Sequence, residues 1–290
     1  MVARYSKRFI SFLNPSSTRM CRDLAVVMDV AGTILRMYRV AKDIERGVIL
    51  ENVVTWELIM RKKGRALVVP QMDPDLMLSC RPDDTLGTLI DGREELLEIS
   101  CSSSRISKDE VVSIVGHSKA KIRDLQEVHR KVLARCPDNY NTAGFIVDED
   151  LQDVVYTLST GGAPFPGLKD VLLDLKHIGV DVYVASGDSM RSLSNLKGLG
   201  IDLSRVNPVS SPQRKKEIIL DLKGRYRRVV MVGDGLNDLY ALKAADLGIL
   251  TMQQDTRPTL ELLKAADEII TDIKELPKIL GKKVGLSFKL

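Results

Sequence analysis

Residues 24–33 read LAVVMDVAGT: five apolar residues, then Asp29, then a turn of small residues through Ala31, Gly32 and Thr33. An apolar run this short predicts a strand, over 24–30, buried on both faces as in a parallel sheet under helices. Three similar runs follow at 180–185 (VDVYVA), 229–233 (VVMVG) and 247–250 (LGIL). Helical patterns lie between them. Residues 167–178 place Leu168, Val171, Leu172, Leu175 and Ile178 on one stripe, and 213–223 and 237–245 also read as helices. Strand alternating with helix predicts an α/β doubly wound sheet, whose sites lie beyond the carboxyl ends of the strands.

The unusual residues fall at those ends. Asp29 alone could cap the next turn, but DVAGT can aim several backbone amides at an anion. In 184–188 (VASGD), Ser186 and the Gly187 amide can hold a phosphate oxygen; equally, Ser186 or Asp188 can cap a strand-to-helix turn. In 212–219 (PQRKKEII), a lysine ammonium between a carboxylate and a phosphate would offset their repulsion, with Lys215 and Lys216 competing for the role. In 233–238 (GDGLND), Asp234 closes a strand between glycines and Asp238 follows four residues on. Mg²⁺ favours one or two carboxylates together with water and phosphate oxygens. A purely structural account has Asn237 capping a helix and Asp238 favoured by its dipole. It leaves unexplained why Asp234 sits in a glycine-flanked turn. The four pieces together supply a nucleophile, a hydroxyl, a cation and metal-binding acids.

This ordered set resembles the haloacid dehalogenase (HAD) superfamily over roughly 23–36 and 150–275. Residues 231–249 and the Pro-x-x-Lys-x-x-Ile-Ile spacing from Pro212 look most like the phosphorylation domain of P-type ATPases and their small soluble relatives. The resemblance implies a HAD-like Rossmannoid core and a phosphohydrolase forming an aspartyl-phosphate on Asp29. It implies Lys215 as the motif lysine, Ser186 beside it, and Gly32, Thr33 and Gly187 at the phosphate. It implies Mg²⁺ on Asp29, Asp234 and the Ala31 carbonyl, with Asp238 in support. One position departs: such phosphatases usually carry a second aspartate two residues after the nucleophile, and here Ala31 stands there. A general acid–base there contributes about 10²–10⁴-fold. Phosphonoacetaldehyde hydrolases share the alanine and use a cap lysine, for which Lys62 and Lys63 are the candidates here. C–P hydrolysis, phosphoryl transfer from ATP and a non-catalytic phosphate-binding role are therefore the alternatives.

Residues 37–149 interrupt the strand–helix rhythm and read as an inserted cap or substrate module. Within it, 65–70 suggests a strand, Ser107 with Glu110 a capping box, 118–135 a basic helix, and 144–148 with 153–159 a hairpin. The expected division is a basic leader over 1–22, a core of 23–36 plus 150–280, the insert, and a tail over 281–290.

The chain has 290 residues and a net charge of +4. Its first 22 residues hold five bases and no acid, leaving the body near neutral, so no nucleic-acid footprint is expected. Cys21, Cys80, Cys101 and Cys136 are scattered, and His117, His129 and His177 share no metal-ligand spacing with them. With no signal peptide and no apolar run near the ~20 residues of a membrane span, the expectation is a cytoplasmic protein with a small phosphorylated substrate.

Overall fold

The computed structural model describes residues 22–137, 140–188, 190–254 and 258–284. Its strands are β1 (Arg22–Met28), β2 (Leu35–Asp43), β3 (Val48–Glu51), β4 (Arg65–Pro70), β5 (Leu97–Ser102), β6 (Asn141–Asp148), β7 (Asp153–Pro164), β8 (Asp181–Ala185), β9 (Val206–Asn207), β10 (Tyr226–Gly233), β11 (Leu247–Thr251) and β12 (Glu268–Ile270). They form two sheets of six.

The first sheet has the order β12-β11-β10-β1-β8-β9, and every pairing in it is parallel. Leu24 to Met28 are at most 2% exposed, because both faces are covered. Alternate residues serve alternate layers. Val26 and Met28 pack with the helix Leu168–His177 and with Leu276 and Leu280. Ala25 and Val27 pack with Ile218, Ile219 and Leu222 of the helix Pro212–Lys223 and with Leu239 and Leu242. The expected stripe on Leu168, Val171, Leu172 and Leu175 is buried. The expected strand 24–30 ends two residues sooner, at Met28, and the helix expected over 237–245 is a 3₁₀ turn, Leu236–Asp238, followed by Leu239–Ala244.

Register fixes where the chemistry sits. Met28 pairs with Val184 of β8 on one side and Val232 of β10 on the other. Parallel strands in register end together, so Asp29, Ser186 and Asp234 emerge at one edge of the sheet. The Asp29 amide extends the ladder by one bond, donating to the Val232 carbonyl at 3.0 Å.

The second sheet, β3-β2-β7-β6-β4-β5, is antiparallel throughout. Helices Lys108–His117 and Ile122–Arg135 cover one face, burying Val111, Leu125, Val128 and Val132 with Val40 and Val68. The capping box at Ser107 and Glu110 is formed. The opposite face carries a small cluster of Ala41, Leu58, Ile59, Ile146 and Leu158. Beyond that cluster it looks across a cavity of about 570 Å³ toward the first sheet.

The insertion expected over 37–149 runs, by sheet membership, from Leu35 to Pro164. The boundary at 149 and 150 falls on the turn of the β6–β7 hairpin, where Asp148 pairs with Asp153. Both strands of that hairpin belong to the second sheet because β7 pairs with β2 over nine positions. Residues 281–284 are not a separate tail but the last turn of the helix Leu276–Val284, anchored by buried Leu280. The expected basic leader, except Arg22, and residues 285–290 lie outside the described residues. No helix among the described residues is long and apolar enough to cross a membrane.

Candidate active site

The helix Pro212–Lys223 opens with Ser211, whose hydroxyl accepts from the Arg214 amide at 3.2 Å, and with proline in its first turn. Its buried positions are Lys215, Ile218, Ile219 and Leu222, one helical stripe. Helical phase thus decides between the two lysines. Lys215 heads the apolar stripe and is 1% exposed, while Lys216 is half-buried off it.

Lys215 Nζ donates to Asp29 Oδ1 at 2.6 Å and to Asp238 Oδ1 at 2.7 Å. Burial opposes its charge, but the two carboxylates outweigh burial and raise its pKa. The second oxygen of Asp238 accepts from the amides of Asp234 and Gly235 at 3.1 and 3.3 Å. Asp238 is therefore fully engaged by protein donors. Asp29 is not: Oδ2 is buried and has no hydrogen-bond partner among the described residues, and the same holds for Thr33 Oγ1.

The carboxylates of Asp29, Asp234 and Asp238 approach so that one oxygen of each lies within 4.8 Å of the others. Burial, then the charges of Asp29 and Asp238, push the Asp234 carboxyl up to about 8, against the pull of Arg39 and Lys215. Burial and Asp29 push Asp238 up to about 7 despite Lys215. Three crowded acids, Asp29, Asp234 and Asp238, outnumber the two cations that act on them, Lys215 and Arg39, and call for more positive charge; hard carboxylate oxygens suit Mg²⁺. The backbone makes room for this. Gly32 has φ +74°, and a Cβ there would lie 1.9 Å from Asp234 Oδ2. At Gly233, a Cβ would meet Asp238 Cγ at 2.5 Å. Only glycine lets the DVAGT and GDGLND turns close on each other. The residues present fit a divalent cation.

Ser186 closes a local turn: its hydroxyl donates to Asp188 Oδ2 at 3.0 Å and accepts the Asp188 amide at 3.2 Å. Residues 207–210 brace that turn, with the Val209 amide donating to the Asp188 carbonyl and the Ser210 amide to that of Ser186. Val209 adopts φ +49°, rare for a β-branched residue. Gly187 and Ala31 line the cavity, as do Asp188 and Arg39.

Arg39 and Asp188 were not expected as site residues. Burial raises the Asp188 carboxyl, Ser186 pulls it down, and Asp29 adds to the rise. Arg39 belongs to β2 of the insert, and its position beside the acids is a product of tertiary folding with no local sequence signal. Lys62 pairs with buried Asp148 at 2.8 Å within the insert, and neither Lys62 nor Lys63 lines the cavity.

A model of the haloacid dehalogenase-like hydrolases matches residues 83–246. A soluble P-type ATPase-like phosphatase of Methanocaldococcus jannaschii is 31% identical over 270 residues, 92% of this chain and 96% of its own. The chain is a haloacid dehalogenase-like hydrolase. As such it is an enzyme of the hydrolase and phosphatase type, and its parallel sheet is the HAD-like fold. A probable copper-importing P-type ATPase of Enterococcus hirae is 37% identical over 82 residues, 28% of this chain and 11% of its own. The hydrolase spans a fifth or less of the length of the copper transporters it matches. The solved structure of a zinc-transporting PIB-type ATPase aligns over 91% of the hydrolase and 41% of its own chain, with 16% identity and a TM-score of 0.45.

Proposed function

We propose that this hydrolase is a Mg²⁺-dependent phosphohydrolase that cleaves a small phosphorylated substrate through an aspartyl-phosphate on Asp29. The observation that carries this is the asymmetry of one carboxylate. Asp29 Oδ1 is fixed by Lys215 at 2.6 Å, and Oδ2 is buried without a partner among the described residues, next to Val30 and Ala31, which line the cavity. A buried, unpaired oxygen is costly unless a ligand or a reaction uses it.

Asp29 Oδ2 attacks phosphorus while Lys215 holds the other oxygen and limits rotation of the carboxylate. Lys215, the Gly187 amide and, once turned from Asp188, the Ser186 hydroxyl stabilise the equatorial oxygens, while the Gly32 and Thr33 amides, held by the Leu35 and Val30 carbonyls, shape the turn. Mg²⁺, when bound by Asp29, Asp234 and the Ala31 carbonyl with Asp238 in support, supplies Lewis-acid compensation for phosphoryl charge. Water then hydrolyses the aspartyl-phosphate and frees Asp29. The insert roofs the cavity and selects the substrate. The free thiols of Cys80 and Cys101 suit a cytoplasmic setting.

A lysine imine for C–P cleavage is not favoured, because no lysine lines the cavity among the described residues. Retention of the nucleophile, lysine and acids, with a relative named a phosphatase, favours turnover over passive binding. Asp29→Asn is expected to reduce Mg²⁺-dependent phosphate release to background across a panel of phosphate esters and anhydrides. Turnover retained by that variant ends the nucleophile assignment.

A further inference from the structure

In-line phosphoryl transfer puts the attacking and leaving oxygens on opposite sides of phosphorus. Asp29 is buried just past the tip of β1, and the next residues, Val30 and Ala31, line the cavity, so a leaving group that departs into the cavity meets the wall made by the insert. That departure is where this site lacks a part. Ala31 occupies the position from which an aspartate would protonate the leaving oxygen, and a methyl group carries no proton.

Arg39 hangs from that wall. It lies on β2, in register with Thr160 of β7, and lines the cavity with Ala31, Gly187 and Asp188. It is the one cationic side chain among the described lining residues. Arg39 is half-buried, and the charges of Asp234, Asp188 and Asp29 act on its guanidinium, in that order. No side-chain hydrogen bond or ion pair engages it among the described residues. A half-buried arginine that lines the cavity without a protein partner keeps its donors for a ligand.

Its placement is rigid. The DVAGT turn leads straight into β2: the Gly32 amide donates to the Leu35 carbonyl at 2.8 Å, and the Leu35 amide to Val30 at 2.9 Å. Two residues on, Gln254 grips the strand from the core. The Met37 amide donates to Gln254 Oε1 at 2.8 Å, and Gln254 Nε2 donates to the Met37 carbonyl at 2.9 Å. Arg39 is two residues past this clamp. Nucleophile and guanidinium are thus held by one braced stretch, although they belong to different sheets.

Resting on the aspartyl-phosphate reading, we propose that Arg39 is a catalytic residue that holds the leaving oxygen as the P–O bond breaks. It thereby commits the enzyme to substrates whose leaving group departs as an anion, namely phosphoanhydrides, acyl phosphates and phenolic esters rather than simple alkyl esters. The step balances without a proton. The bond from Asp29 Oδ2 to phosphorus forms, the P–O bond breaks, and its electron pair stays on the leaving oxygen opposite the guanidinium. Charge stabilisation replaces the protonation that Ala31 cannot provide.

The test is the dependence of kcat/KM on leaving-group acidity, measured on phenyl phosphates of graded phenol pKa and on alkyl phosphates. It compares wild type, Arg39→Ala and Arg39→Lys, with folding checked by thermal melts. Arg39→Ala is expected to lose about 10²–10³-fold on the poorest leaving groups and far less on the best, the scale of one lost transition-state donor. The line against pKa steepens, and millimolar guanidinium or methylguanidinium restores part of the loss. Arg39→Lys keeps the charge without the fork and falls between. Unchanged kinetics in Arg39→Ala, or an equal loss on every substrate that guanidinium does not restore, overturns the proposal. If wild type matches Asp29→Asn on every substrate, it is the phosphohydrolase reading beneath that fails.

Discussion

Gly32→Ala is the sharpest test of the acid cluster. Gly32 lies at φ +74°, and a Cβ there would stand 1.9 Å from Asp234 Oδ2 and 2.4 Å from its Cγ. Real Cβ contacts do not fall under 3.0 Å, so Asp234 must retreat by about 1.1 Å or the DVAGT turn must open by as much. The conformational part costs about 1–2 kcal/mol, the price of a left-handed alanine. The displacement part falls on function, since a misplacement of ~1 Å costs about 10²-fold in rate. Gly47→Ala separates the two. Gly47 also has positive φ, +66°, but a Cβ there meets nothing within 4 Å. Both variants should lose similar stability by chemical denaturation. Only Gly32→Ala should lose turnover and weaken the Mg²⁺ activation curve, measured as phosphate release against metal concentration. If Gly32→Ala matches wild type in turnover and metal response within about twofold, the approach of Asp234 to the nucleophile turn is not functional and its metal role falls.

Lys215→Met removes the cation shared by two carboxylates exposed by 3% or less. It should destabilise the fold by about 3–5 kcal/mol as well as abolish turnover, and a loss under about 1 kcal/mol by denaturant titration would contradict the buried pairing. The acids also predict a pH dependence. Asp234, pushed up to about 8, and Asp238, pushed up to about 7, hold protons in the folded state that the unfolded chain releases near the ordinary 3.8. Unfolding then releases protons between about pH 4 and pH 8, so metal-free stability falls as pH rises through that window. Mg²⁺ competes with those protons, so its stabilisation grows over the same range; melts in chelator and in Mg²⁺ that run parallel across pH would count against this. Val209 is 62% exposed at φ +49°, and asparagine tolerates that conformation where valine does not. Val209→Asn should raise stability by about 1 kcal/mol, and a lower melting temperature would show that the loop is held by its side chain.

What was legible in the sequence was what repeats along it. Strands buried on both faces leave unbroken apolar runs, and Leu24 to Met28 could hardly be anything else. Parallel strands bring their carboxyl ends together, so Asp29, Ser186 and Asp234 could be grouped without coordinates. Helical phase could have chosen Lys215 over Lys216. The insert was opaque because its sheet has one face on helices and the other on a polar cavity. β2 (LRMYRVAKD) accordingly mixes buried Tyr38 and Val40 with cavity-facing Arg39. The hairpin of 144–148 with 153–159 was legible, but the module boundary fell at its tip because nothing local shows that β7 pairs with β2. β9 and β12, of two and three residues, exist only because neighbours supply their hydrogen bonds. Arg39 was invisible because its neighbours in space are far away in sequence.

The pairing of β1 has a consequence for biosynthesis. Its two partners lie at 181–185 and 226–233, and Asp29 meets Lys215 across 186 positions. On the ribosome, at about 5–20 residues per second, roughly 10–40 s separate Met28 from Val232. Through that interval the apolar segment 24–28 lacks the β10 side of its sheet, while every strand of the insert has already emerged by residue 164. Chains stalled in that gap carry every strand of the second sheet beside a sticky β1 that still lacks its β10 partner. The buried acid–lysine cluster, which needs Asp238, is among the last parts of the nascent chain to exist.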